Sequence, residues 1–268
     1  MTTLNVNARN INANEMNDSC SQDKTSRVGL MHSKTSLRVF QEKRRSKNTI
    51  EHKKTLKKDA EKYKPVVTND ICASSIEDLM HKLLSKFDGV LVGEFHNKTD
   101  AKKFIIKQLE MGTIETLFME QFFENMQQDL DIYIRGGPLS QELENHLING
   151  DRHFAYRGSD CPYSFRGILK KAQEMGVRVV AIDSRIANVP DEQNRWKLMN
   201  LVASEIIKRE YKGGKFLALM GLNHLNNHTQ QFPGVSELTG NPSITFSDLG
   251  QKAIVPNFVW ETNEKKYP

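Results

Sequence analysis

The sequence predicts an α/β fold, a mainly parallel sheet of about five strands with helices on both faces. Three observations carry that reading. Apolar runs alternate with amphipathic helical stretches in the order β-α-β-α-β-α-β-α-β, the pattern of a sheet built from crossover units. The runs are continuous rather than alternating, as strands covered on both faces require. Charge is segregated: residues 1–64 hold fifteen Lys or Arg against seven Asp or Glu, whereas the whole chain of 268 residues carries +5. The basic character therefore belongs to a leader and the fold to residues 65–268.

The first part of the leader, to about residue 25, is rich in Asn, Ser and Thr and has too little apolar surface to offset chain entropy, which predicts disorder. From Ser36 to Lys64 the Lys and Arg residues crowd together. A solvated basic tail is the plainest reading, and contact with an anionic membrane is the functional alternative. Nucleic acid is a poor match because aromatics for base stacking are not interleaved with the cations. Cys20, Cys72 and Cys161 are far apart and odd in number, which argues against a disulfide framework or a thiolate zinc site and fits a reducing compartment. No segment has the length of apolar sequence that spans a bilayer or the layout of a secretory signal. The expectation is a cytoplasmic protein or an effector exported by another route.

Within the folded part, Ser75 is placed to cap a helix with apolar residues Ile76, Leu79, Met80, Leu83, Leu84 and Phe87, and Gly89 follows as a stop. Val90-Leu91-Val92 is the first strand. Thr99 is the expected cap of a second helix through Phe104, Ile105 and Leu109, closed by Gly112. Thr116-Leu117-Phe118-Met119 forms the second strand, parallel to the first. Residues 125–160 read as a helical insertion or lid, broken at Gly136-Gly137-Pro138. A helix from about Tyr163 to Met175 stops at Gly176 and feeds a strand over Val177–Ile182. A long helix from about Asp191 to Tyr211 precedes the strand Phe216–Met220. A short helix near Gly234 to Leu238, the strand run Ser243–Asp248, and a terminal strand or flap over Ile254–Trp260 complete the chain.

Ionisable residues arrive at the ends of four strands: Glu94 and His96, Glu120, Asp183 and Arg185, and His224. In α/β sheets ligands bind at this rim, because helices cover the faces and leave the carboxyl ends of the strands accessible. Gly93-Glu94-Phe95-His96 and Gly221-Leu222-Asn223-His224 also repeat one tetrapeptide plan, Gly-x-x-His, at two strand ends. The residue types suit two mechanisms. Either His96, His224 and Glu120 hold a divalent metal and another Glu is the base, or Glu94 or Glu120 activates water, a histidine protonates the leaving group, and Arg185 or the other histidine stabilises the oxyanion. Glu124 is a substitute for Glu120 one helical turn on. Asp183 and Arg185 read equally well as an ion pair ordering the rim. His146, His153 and His228 are more ordinary as surface or capping residues, and Tyr156 and Tyr163 as packing aromatics.

Gly93-Glu94-Phe95-His96, Phe118-Met119-Glu120-Gln121-Phe122 and Gly221-Leu222-Asn223-His224, followed by Pro233-Gly234-Val235, resemble the superfamily that joins the Tiki peptidases, the erythromycin esterases and the ChaN haem-uptake proteins. That fold also includes the C-terminal region of Pasteurella multocida toxin and the Ras-specific endopeptidase domain of RTX toxins. The resemblance covers about residues 75–250, and Phe154–Arg185 is similar to the matching part of ChaN. It implies a hydrolase, peptidase-like and acting on a protein or peptide, in which Glu94, His96, Glu120 and His224 occupy the family's Glu-x-His, second Glu and Gly-x-x-His positions. It leaves the divalent metal open, since Tiki-like members use one. It also offers haem binding without catalysis as the alternative, with no secure match of Tyr156 or Tyr163 to the ChaN haem tyrosine. The Glu-x-His spacing is most similar to the toxin endopeptidases, which implies a bacterial effector.

Overall fold

The sheet has seven strands in the order β3-β2-β4-β1-β5-β6-β7. They are β1 (Gly89–Glu94), β2 (Thr116–Phe123), β3 (Arg178–Asp183), β4 (Phe216–Gly221), β5 (Ser243–Phe246), β6 (Ala253–Val255) and β7 (Phe258–Val259). The first five are parallel, and β6 and β7 add an antiparallel edge. The structure, a computed structural model, describes residues 71, 73–153, 161–184, 192–225, 232–246, 253–255 and 258–259. The basic leader, residues 1–64, lies outside them. No helix among the described residues is long and apolar enough to cross a membrane.

Helices connect the strands: α1 (Ile76–Lys86), α2 (Asp100–Glu110), α3 (Gln127–Ile134), α4 (Gln141–His153), α5 (Phe165–Glu174), α6 (Glu192–Glu210) and α7 (Val235–Thr239). The Ser75 hydroxyl accepts from the Asp78 N–H at 3.1 Å, so α1 begins where its cap was expected. Thr99 holds the N-cap position of α2 but is itself helical, and its side chain makes no capping bond. The start of α5 is set by Ser164, whose hydroxyl accepts from the Gly167 N–H at 3.0 Å. Gly89 lies inside β1, where the Phe216 ring fills the space of its missing Cβ.

Strand parity divides the core. Val90, Val92, Leu117, Met119, Leu217 and Leu219 point to one face, where they pack with Leu83 of α1, Ile105 and Leu109 of α2, and Ile168 of α5. Leu91, Phe118, Phe216, Ala218 and Met220 point to the other, against Leu198, Ala203 and Ile206 of α6 and Val235 of α7. Both layers exclude water, which is why the strands read as continuous apolar runs. Phe118 and Phe216 meet edge to face, with ring centroids 5.2 Å apart.

Two topological details differ from the simplest reading. β1 and β2 belong to one parallel sheet but are not neighbours, because β4 lies between them. β2 also runs on through Phe123, so Glu120 sits within the strand rather than after it. Beyond β2, the side chain of Gln127 on α3 donates to the Val179 carbonyl at 2.9 Å and accepts from the Ala181 N–H at 2.8 Å. It thereby satisfies polar groups of the edge strand β3.

Candidate active site

The order β2-β4-β1 puts the carboxyl ends of the three motif-bearing strands side by side at the centre of the sheet. Parity then decides which way each acid points. Glu94 follows Val90 and Val92 onto the face of α2, and Glu120 follows Phe118 toward the face of α6. His96, beyond the end of β1, lies across Gly221 at the end of β4. A Cβ at Gly221 would stand 3.1 Å from His96 Nε2 and 3.4 Å from Glu120 Oε2. Imidazole and carboxylate therefore share the space that a side chain would occupy. Neither Gly93 nor Gly221 has a positive φ. What both supply is close approach, Gly93 to Leu225 and Gly221 to His96.

Glu94 is buried, and both its oxygens are engaged. One meets His96 Nδ1 at 2.8 Å, and the other takes the ammonium of Lys102. A carboxylate only accepts, so the hydrogen-bond network assigns the proton to Nδ1 and leaves Nε2 facing Gly221. Burial pulls the His96 pKa down, but the hydrogen bond and charge of Glu94, with the charge of Glu120, outweigh it and raise the group above 6.5.

His224 makes the opposite case. It is buried in a single 3-10 turn after β4, and its Nδ1 lies 2.7 Å from Oδ1 of Asn200 on α6. The Asn200 amide is itself fixed by donating to the Pro233 carbonyl at 3.1 Å. Its oxygen therefore accepts from Nδ1, and His224 Nε2 is turned toward Glu120 Oε1 at 3.4 Å. Burial lowers the His224 pKa against the opposing charge of Glu120, so the ring is held neutral. Glu120 receives the Gly221 N–H on its other oxygen at 2.5 Å. In the neutral ring Nε2 carries a lone pair, so it and Glu120 Oε1 are two acceptors 3.4 Å apart, each able to take a proton from a third group.

Asp183 ends β3 beside β2, and burial together with the charge of Glu120 pushes its pKa up to about 7. Its predicted partner Arg185 lies outside the described residues, as do Tyr156, His228 and the side chain of His153. Glu124 turns to the surface and pairs with Arg209 at 2.9 Å, away from the place of Glu120. His146 ties α4 to the end of β2 through the Gln121 carbonyl at 2.6 Å. Cys161 and Tyr163 line a cleft of about 840 Å³ between α2 and α5, whose lining holds no histidine.

Sequence reasoning missed Lys102, Asn200 and Asp151. Lys102 is fully buried on α2. Asp151, on α4, caps α5 by accepting from the Phe165 N–H at 3.1 Å. The available signal was a polar residue on an apolar helix stripe: Lys102 precedes Ile105 and Leu109, and Asn200 precedes Ala203 and Ile207.

The residues proposed as metal ligands, His96, Glu120 and His224, do not form such a centre as they stand. Among the described residues no three His, Cys, Asp or Glu are grouped to hold an ion.

An α/β domain with acids and imidazoles gathered at its central strand ends is the class that fold and site define. No protein-family model matches the sequence. The chain is 25% identical over 201 residues, 69% of its length, to the multifunctional-autoprocessing repeats-in-toxin protein of Vibrio vulnificus, of which it covers 4%. Its structure is similar to RRSP, a MARTX toxin effector domain from Vibrio vulnificus CMCP6, with a TM-score of 0.56 and 23% identity over 68% of this chain and 37% of that one. It is also similar to the C-terminal region of Pasteurella multocida toxin, which has a thiol-protease like catalytic triad, with a TM-score of 0.54 and 17% identity over 65% of this chain and 25% of that one. The chain thus spans well under half the length of each. Haem-binding ChaN of Campylobacter jejuni is a more distant neighbour, at a TM-score of 0.42. The likeness to the two toxin structures shows a shared fold.

Proposed function

We propose that this chain is a hydrolase of the toxin-effector type that cleaves an amide or ester bond in a protein or peptide. The observation that carries the reading is the opposition, across Gly221, of a Glu94-supported His96 and the carboxylate of Glu120, with neutral His224 beside it. In this scheme a water donates one O–H to Glu120 Oε1, with neutral His224 beside it, and turns an oxygen lone pair to the substrate carbonyl. Glu120 takes the proton as the water oxygen bonds to the carbonyl carbon. The C–N or C–O bond then breaks, and protonated His96 delivers its Nε2 proton to the leaving atom. Solvent exchange returns the proton from Glu120 to His96. Glu94 touches no substrate here: it stands behind His96 as its support, the role of the acid in a triad.

The test is to incubate the purified protein with a eukaryotic cell lysate and map newly formed protein N-termini, with Glu120→Gln as the control. Cleavages present with the native chain and lost with the variant are the expected result. Identical termini in both samples, or none in either together with no hydrolysis of nitrophenyl esters, would overturn the proposal.

A further inference from the structure

We propose that Lys102 is the positioning residue of this centre, a buried ammonium that fixes how Glu94 is turned and thereby which nitrogen of His96 carries the proton. Lys102 has no exposed surface, and its surroundings come from four elements. Glu94 of β1 takes one N–H. The carbonyls of His96 and Lys98, in the turn that opens α2, lie at 3.3 and 3.2 Å. Asp151 of α4 contributes an opposing charge, and the Phe165 ring of α5 lies 4.8 Å from Nζ. Among the described residues the ammonium meets the Glu94 carboxylate and two backbone carbonyls, and the carboxylate oxygen turned to it is held by an N–H donor. A lone lysine would not remain fully buried without such partners.

The consequence follows from donor and acceptor chemistry. An ammonium donates and never accepts, so whatever atom of residue 94 faces Lys102 must be an acceptor. With Glu94 both oxygens qualify, and the second receives the Nδ1–H of His96. With an amide at position 94 only one oxygen is available, and Lys102 claims it. The NH2 group then faces His96, Nδ1 becomes an acceptor, and the ring proton moves to Nε2. Lys102 thus makes Glu94→Gln an inversion of the imidazole rather than a neutral replacement. Its part in turnover rests on the hydrolase reading, whereas its effect on the tautomer does not.

The experiment is ¹⁵N NMR of histidine-labelled full-length protein at alkaline pH, where the His96 ring is neutral. The native chain is expected to show Nδ1–H and E94Q to show Nε2–H. The double variant E94Q/K102M, in which the amide is free to turn back, is expected to regain Nδ1–H. The same tautomer in E94Q with lysine or methionine at 102 would overturn the proposal. If E94Q alone does not fold, native protein and K102M are compared: without the ammonium the buried Glu94 takes a proton and donates it to Nδ1, so Nε2–H is expected in K102M, and an unchanged Nδ1–H overturns the proposal. In lysate cleavage, K102M is expected to lower kcat at least 10-fold with little change in KM. An unchanged kcat in K102M with the tautomer result intact would take Lys102 out of turnover, whereas no cleavage by the native chain with the tautomer result intact would refute the hydrolase reading and leave the positioning role standing.

Discussion

The two Gly-x-x-His stretches make one tetrapeptide do two things. At the end of β1 the histidine leans on a carboxylate that is itself paired with a buried ammonium, and its pKa rises. At the end of β4 the histidine leans on a neutral amide, is buried, and its pKa falls. The spelling is shared, but the supporting residue is not: Glu94 is within the first motif, whereas Asn200 comes from a helix on the other face of the sheet. A matched motif therefore marks where imidazoles converge, and the second ring of contacts decides which is acid and which is neutral.

The strongest way to break the comparison is to remove the group between the two. Glu120→Gln is expected to lower kcat by about 10²–10⁴-fold, the range for losing a general base, with little change in melting temperature. Retained turnover would assign the base elsewhere. Next in size is Asn200→Leu. With no oxygen left to accept Nδ1–H, the neutral His224 ring loses its fixed tautomer, and kcat is expected to fall roughly 10-fold while KM holds. A large rise in KM instead would make Asn200 a substrate contact.

Stability against pH sharpens the same contrast. His96, raised in the folded state, contributes stability that is complete below 6.5 and fades as pH climbs through its raised value. His224, lowered in the folded state, contributes stability above 6.5 that fades as pH falls toward its lowered value. Denaturation of His96→Asn and His224→Asn across pH should therefore flatten opposite sides of the curve, and parallel curves would refute the assignment. The smallest effect is expected at Asp183. Its folded pKa of about 7 against an ordinary 3.8 means that stability is lost as pH rises between them. Asp183→Asn should raise stability above pH 7 by on the order of 1–3 kcal/mol, and no gain there would show that Asp183 is not held protonated.

Much of the fold was legible because five apolar runs and their intervening stripes obey simple periods. The strand ends were legible too, since Glu94, His96, Glu120 and His224 interrupt those runs abruptly. What stayed hidden was strand order: nothing local says that β4 inserts between β1 and β2, yet that insertion is what brings His224 to Glu120. Lys102 was hidden for another reason. A lysine on a helix reads as a solvated residue, and only the buried carboxylate opposite, eight positions earlier, reveals it as part of the interior. Glu94 was likewise read as a candidate base, whereas both its oxygens are already engaged.

Gly221 carries a practical consequence. The bare α-carbon at the end of β4 keeps open the volume in which bonds would be made and broken, so a single added methyl group plugs it while leaving every acid, base and amide chemically intact. Under the proposed hydrolase mechanism, Gly221→Ala is expected to stop turnover while a protein target still docks, which would suit it to capturing that target intact.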